Sequence, residues 1–388
     1  MIEIMYKFIM ISFIKMKRFI PTIAVFVPLV LLLSCKAGNE NFVIPGDIGI
    51  AENKLSFTPP SPMKDPKPRD ERCVGMSISE GAIGFDKAFV LARSVGVEAT
   101  EIPVHWDEAE PERGRYVDQW LGIANAFYPR HGMKISISIN PIDTNSLRLP
   151  KYLKDKPLDD AEMIARFKLF VDFTASLVPD SDIFFVAIGN EIDAYLGNSA
   201  KRWQEYTTFY AAVAPYVREK FPKAMIGSKI TYDGIVKLND MVQHLNKYSD
   251  IVLTTYYPFK QGSFLARTPA TVHSDFKQIV ELYPDKKVYF AEIGYPSGAT
   301  NGSSEEKQAE FIRETFTAWD TYRDKIPYLN FVWLHDISPE SVTVHEKYYG
   351  FKDKGFASYL GTLGLRTYEG RDKQAFIVLR EEIKKRSW

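Results

Sequence analysis

Residues 183–193 read Ile183-Phe184-Phe185-Val186-Ala187-Ile188-Gly189-Asn190-Glu191-Ile192-Asp193, an apolar, β-rich run that ends in an amide and a carboxylate. Seven more runs of this kind lie at 73–79, 97–105, 134–139, 224–228, 250–255, 287–292 and 329–334. Longer amphipathic stretches separate them, including 160–178, 200–220 and 304–324. The last of these starts on Ser303-Ser304-Glu305-Glu306, a capping box, and carries Ala309, Phe311, Ile312, Phe316 and Trp319 near helical spacing. Strands alternating with helices imply a parallel sheet with right-handed crossovers. Eight such units over about 300 residues predict an α/β fold of one closed (β/α)8 barrel, a TIM barrel, rather than an open doubly wound sheet. No glycine-rich phosphate loop follows the first run, which argues against dinucleotide binding.

Composition narrows the chemistry. The 388 residues carry 49 basic and 49 acidic side chains, so the electrostatic footprint of a nucleic-acid binder is missing and no nucleic acid is expected as partner. The six histidines, at 105, 131, 244, 273, 335 and 345, show no metal-ligand spacing, and no G-x-S-x-G elbow precedes a helix. Neither a metal nor a cofactor is expected, and the chain is read as a monomer.

The N-terminus reads as an address. Residues 19–33 form an uncharged apolar run behind Lys15, Lys17 and Arg18, a secretory leader too short for a stable span. It closes on Leu32-Leu33-Ser34-Cys35, which resembles the bacterial lipobox; that resemblance implies cleavage before Cys35, lipidation of its thiol, and a place in the bacterial cell envelope, periplasmic or at the cell surface. Met16 offers a second start to the same leader. Residues 36–70, with Pro59, Pro60, Pro62, Pro66 and Pro68, read as a tether that cannot bury enough apolar area to fold. The expected organisation is therefore 1–35 leader, 36–70 tether and 71–388 barrel. With Cys35 lipidated, Cys73 remains as a lone, buried thiol, and no disulfide framework exists.

Barrel enzymes place their chemistry at the C-terminal ends of strands. Glu191 ends the fourth run, where an apolar surrounding raises a carboxyl pKa and suits it to act as a general acid. Glu292 ends the seventh run, Val288-Tyr289-Phe290-Ala291, ahead of Ile293-Gly294-Tyr295-Pro296. Two carboxylates converging on one pocket without a cofactor are what cleavage of a glycosidic bond requires. Asn-Glu also occurs at Asn39-Glu40 in the tether, so position at a strand end, not the dipeptide, carries the reading.

Gly189-Asn190-Glu191 and Glu292 at these two ends resemble the clan of retaining (β/α)8 glycoside hydrolases. The stretch Trp106 to Tyr116 is similar to the second-strand loop of that clan, and Trp333 is similar to its strand-eight aromatic. The resemblance implies Glu191 as acid/base, Glu292 as nucleophile, Asn190 as a partner of the sugar 2-hydroxyl, and a β-linked polysaccharide or oligosaccharide as substrate. Asp250 to Phe259 resembles arabinogalactan endo-β-1,4-galactanases, whereas Glu292 to Ser297 resembles endo-β-1,3-glucanases just as well. The third run departs from the galactanase pattern: Ile139-Asn140-Pro141-Ile142-Asp143 lacks an acidic-Trp-acidic signature.

Around the pair, Tyr257 is expected to hydrogen-bond Glu292, with Tyr256 as its rival. Trp106, Tyr295 and Trp333 are expected to offer ring faces to a sugar, and His105 to bind hydroxyls or serve structurally. Trp203 and Trp319 read as core; His335, Asp143, Asp193 and Asp336 lie near strand ends with open roles. Transglycosylation needs the same two carboxylates, and a glycan-capturing surface lipoprotein would share the anchor and the aromatics.

Overall fold

The computed structural model describes residues 67–388; the expected leader with Cys35, and residues 36–66 of the expected tether, lie outside the described residues. Eight parallel strands close into a ring: β1 (Cys73–Ser77), β2 (Ala99–His105), β3 (Lys134–Asp143), β4 (Ile183–Asn190), β5 (Met225–Gly227 and Lys229–Thr231), β6 (Val252–Tyr256), β7 (Val288–Ile293) and β8 (Tyr328–Val332). Each pairs in parallel with the next, and β8 returns to β1 with Cys73 opposite Tyr328 and Ser77 opposite Val332. The fold is a (β/α)8 barrel.

Two strands run further than the sequence suggests. β3 continues through Asn140 to Asp143, where a short arm, Ser146–Leu147, folds back on it antiparallel. β5 is divided at Ser228: its first half pairs with β4 and its second with β6. The Ser228 hydroxyl donates to the Ile188 carbonyl at 2.7 Å, so the break stays hydrogen-bonded within the sheet. The continuation carries Lys229, beyond the expected end at 228, up to the mouth of the barrel.

Alternation along the strands fills the interior with Cys73, Ala99, Phe185, Ala187, Leu253, Tyr289, Ala291 and Tyr328. Phe184 packs against Tyr289 and Tyr328 at centroid separations of 5.3 and 5.1 Å, plugging the N-terminal end with rings. Burying each such side chain is worth about 1.5–3 kcal/mol. Opposite them β1 has Gly75, where a Cβ would stand 2.2 Å from the Tyr328 hydroxyl; only glycine leaves room for that ring. Cys73 is buried in the same layer, and burial pushes its thiol up to about 12, which keeps it unreactive at neutral pH.

The outer helices start where the sequence puts their caps. Asp160 accepts from the backbone of Glu162 and Met163 ahead of Ala161–Ser176, and Ser304 caps Glu305–Thr321. The last helix, Gln374–Lys385, is tied to the start of β1 by a buried clasp. Arg72 and Arg386, 1% and 2% exposed, both bind Asp320, at 2.8 and 2.7 Å. Removing the shared carboxylate leaves the buried Arg72 without its acidic partner and Arg386 with Glu382 alone, so Asp320→Ala should lose about 3 kcal/mol of stability in a denaturant titration. Retained stability would mean that the clasp carries no weight.

Candidate active site

Three local departures from regular strand geometry bring two glutamates together. At the end of β4, Gly189 has φ 80°, and Glu191, just past the strand, has φ 43°. A Cβ at Gly189 would meet Ile192 Cγ2 at 2.6 Å and the Tyr206 hydroxyl at 2.9 Å, so glycine is required there. In β7 the register shifts by one residue: Thr254 pairs with Phe290 but Thr255 with Glu292. Ala291 lies in the interior layer, and strict alternation would send Glu292 outward to the helices. The extra residue, a β-bulge, turns it to the mouth instead. The third departure is the break in β5 that delivers Lys229.

Glu292 accepts from two donors. Tyr257 donates its hydroxyl to Oε2 at 2.6 Å, and the Lys229 ammonium stands 3.3 Å from Oε1. Tyr256, the neighbouring tyrosine, points to the other side and donates to Asp275 at 2.8 Å. A carboxylate can accept at both oxygens at once, and these contacts suit that form. Lys229 is 4% exposed and bound more closely to Glu101 of β2, at 2.6 Å. Burial alone would lower its pKa, but Glu101 and Glu292 outweigh burial and drive it up. Burial raises Glu101 in turn, with Glu292 adding to it and Lys229 opposing.

Glu191 meets hydroxyls rather than a cation: Thr255 donates to Oε1 at 2.7 Å and Thr144 to Oε2 at 3.2 Å. Burial, then the charge of Glu292, push its carboxyl up to about 8 against the pull of Thr255. The two glutamates are thus held by Thr255, near the end of β6, and Tyr257, the residue just past it. The two carboxyls have different surroundings: Glu191 accepts only from hydroxyls, whereas Glu292 accepts from a phenol and stands beside an ammonium.

Asn190 donates to Asp143 Oδ1 at 2.7 Å, while its own Oδ1 is buried without a partner. Asp143 also accepts from Tyr348 and lies 3.9 Å from His105 Nε2. Burial raises the Asp143 pKa, but His105, Tyr348 and Asn190 together outweigh it and hold it below the usual range. Burial lowers that of His105. Trp333 is half-buried at the end of β8, 6.1 Å from the His345 ring.

Two expected sugar-facing rings lie elsewhere. Trp106 is fully buried, donates Nε1 to Glu110 at 3.0 Å and packs on Phe167 and Phe170: it is core, because the short helix Trp106–Ala109 turns the ring behind the sheet. Tyr295 is 2% exposed, stacks on Phe311 and donates to the Arg267 carbonyl, so it too is structural. His335 is buried and bonded to Ser79 and Arg366; Asp193 serves Thr231, and Asp336 pairs with Lys373. Trp203 and Trp319 are core. Lys229 and Glu101 escaped the sequence reading, although opposite charges inside two otherwise apolar strands were a signal for them.

Neither protein-family models nor curated sequences give a match. Solved structures do. A GH5_18 protein from Streptomyces cattleya in complex with GlcNAc superposes with a TM-score of 0.64 at 15% identity, over 84% of this chain and 82% of that one. The exo-β-1,4-mannosidase Op5Man5 from Opitutaceae bacterium strain TAV5 gives 0.62 at 18%, over 81% of this chain and 59% of that longer one. The GH53 catalytic domain of Ignisphaera aggregans gives 0.58 at 18%, over 82% and 99%. The shared feature is the barrel.

A titration checks the division between the two carboxyls. In a protein with 13C-labelled glutamate carboxyls, Glu191 should titrate near 8. Because the charge of Glu292 contributes to that shift, the midpoint should fall in Glu292→Gln; an unmoved midpoint would mean that the two do not interact.

Proposed function

We propose that this protein is a retaining glycoside hydrolase acting on β-linked glycans. The observation that carries the reading is the contrast between Glu191, buried among hydroxyls and pushed up to about 8, and Glu292, accepting from an ammonium and a phenol in the same pocket. Glu191 donates its proton to the leaving oxygen while Glu292 attacks the anomeric carbon, forming a glycosyl ester and releasing the aglycone. Water then attacks that carbon; Glu191, now ionised, takes its proton, and Glu292 leaves as a carboxylate. To Asn190 we assign the acceptance of a hydrogen bond from a sugar hydroxyl, a reading supported by its buried Oδ1, which has no partner.

The substrate class follows the solved neighbours, among which one is an exo-β-1,4-mannosidase and another was solved with Manβ1-4GlcNAc. β-Mannosides therefore join the β-1,4-galactans and β-1,3-glucans that the sequence resemblance favours. We further propose that the enzyme works at the bacterial cell envelope, held by lipid on Cys35, a reading supported by the basic residues, apolar run and Ser34-Cys35 junction of the leader.

The test is hydrolysis of β-linked galactan, glucan and mannan oligosaccharides and of their aryl glycosides. Glu292→Ala should lose nearly all turnover yet still bind; full activity would refute its role. Glu191→Ala should lose far more on natural linkages than on activated aryl glycosides, whose leaving groups need no proton. On natural linkages, wild-type activity should fall as pH rises through about 8, because Glu191 then loses the proton it donates.

Lys229 should act as a positioning residue through Glu292. Lys229→Met should lower kcat about 10²–10³-fold with KM little changed, since Glu292 has lost the ammonium that holds it. Lys229→Arg should recover part of that loss. A simple loss of folded protein, with unchanged kcat in what remains, would leave Lys229 a purely structural ion.

A further inference from the structure

The end of β3 is shaped to meet Asn190. Ile139 pairs with Ile188, but after a register shift the next pair is Asp143 with Asn190, so β3 uses more residues than β4 over the same span. The Thr144 backbone donates to the Asn190 carbonyl at 2.8 Å, and Thr144 itself takes φ 52°, a left-handed conformation uncommon for a β-branched residue. In this arrangement Asp143, 6% exposed, takes the Asn190 NH2 group on its Oδ1 at 2.7 Å.

The other oxygen of Asp143 belongs to a second set of contacts. The helix Pro339–Tyr349, in the excursion of the chain after β8, brings the Tyr348 hydroxyl, which donates to Asp143 Oδ2. Tyr348 accepts in turn from Arg148 Nη1 at 2.9 Å, and Arg148 is buried and held by Asp107, at 2.9 Å, and by Glu108. The direction of each bond in this row follows from the one before it. A guanidinium only donates, so the Tyr348 oxygen accepts from Arg148 and its single proton goes to Asp143. Burial raises the Asp143 pKa, but His105, Tyr348, Asn190 and Arg148 outweigh it and keep it below the usual range. An ionised carboxylate only accepts, so Asn190 turns its NH2 group toward Asp143 and its oxygen away. That oxygen is the one left buried without a partner, a costly state until a donor reaches it.

We propose that Arg148, Tyr348 and Asp143 form a relay of hydrogen bonds of fixed direction that holds the Asn190 amide with its oxygen toward the sugar, so that the enzyme requires a hydrogen-bond donor at C2 of the glycosyl unit. This rests on the hydrolase reading above. Asn190 directly precedes Glu191 in the chain. Glu191 serves the bond at the anomeric carbon, and C2 is the neighbouring carbon that bears a hydroxyl. Asp143 and Tyr348 act through Asn190 and are positioning residues. A fluorine at C2 only accepts and meets the Asn190 oxygen without a proton between them.

The experiment pairs dinitrophenyl β-glycosides of galactose, glucose and mannose with their 2-deoxy-2-fluoro analogues. It compares kcat/KM for the parent with the second-order rate of trapping by the analogue, both of which report the first chemical step. In Asp143→Asn, Tyr348 keeps the oxygen of the new amide, its NH2 group faces Asn190, and the Asn190 amide reverses. The ratio of parent to fluoro rate should then fall about tenfold, the worth of one hydrogen bond. Tyr348→Phe alone should leave the ratio where it is, because the Asp143 carboxylate still only accepts. Added to Asp143→Asn it should recover part of the ratio, because the amide at position 143 is then free to turn. A merely structural role lowers both rates together, so an unmoved ratio in Asp143→Asn would overturn the relay, and no recovery in the double variant would remove Tyr348 from it. Should Asp143→Asn not fold, neutron diffraction from deuterium-exchanged wild-type crystals reads the amide directly. Deuterons on the atom facing Asp143 support the relay, and the reverse overturns it. Turnover of a parent sugar with an unmoved ratio leaves the hydrolase reading standing; neither turnover nor trapping with any of the three sugars would overturn that reading and the relay with it.

Discussion

One ammonium is shared among the carboxylates at the mouth of this barrel. Lys229 is almost wholly buried, sits 2.6 Å from Glu101 and 3.3 Å from Glu292, and leaves Glu191 to hydroxyl donors. Two buried carboxyls close together cannot both be ionised cheaply. The cation stands beside Glu292, while burial and then the charge of Glu292 raise the Glu191 carboxyl. The roles proposed for Glu191 and Glu292 thus follow from where a single positive charge is fixed. Glu101 completes the arrangement. When Glu292 becomes an ester in the proposed cycle, Lys229 is still paired with Glu101, and no buried cation is stranded.

That distribution depends on backbone irregularity. Regular strands would turn Glu292 outward; the bulge in β7 reverses it. The left-handed conformations of Gly189 and Glu191 aim the acid at Thr255, and the division of β5 lets Lys229 rise to the mouth. Strained backbone of this kind persists where the surroundings over-determine it. Here the surroundings are a closed sheet, a floor of packed rings and a clasp of Arg72, Asp320 and Arg386 joining the chain's last helix to its first strand.

The barrel is common to proteins with 13–18% identity to this one, which is what a fold shared without close sequence relation looks like. Specificity is carried by the loops on its mouth. The excursion after β8 meets groups around the proposed nucleophile: Tyr359 packs on Tyr257, which donates to Glu292.

The sequence by itself determined the eight strands, their alternation with helices and the two glutamates at the ends of β4 and β7, because burial imposes a periodicity that survives in the residue order. It also pointed to Tyr257 over Tyr256, whose hydroxyls the structure finds on opposite sides of β6. Trp106 and Tyr295 could not be placed in this way, since a large ring at a strand end fits a sugar groove and a core equally well, and only the packing on Phe167, Phe170 and Phe311 assigns them to the core. Lys229, Glu101, Thr144 and Tyr348 come from four separate segments of the chain. Their convergence on the two glutamates and on Asp143 was decided by the tertiary structure alone, because a hydrogen bond between residues 128 positions apart, as from Lys229 to Glu101, leaves no local pattern in the sequence.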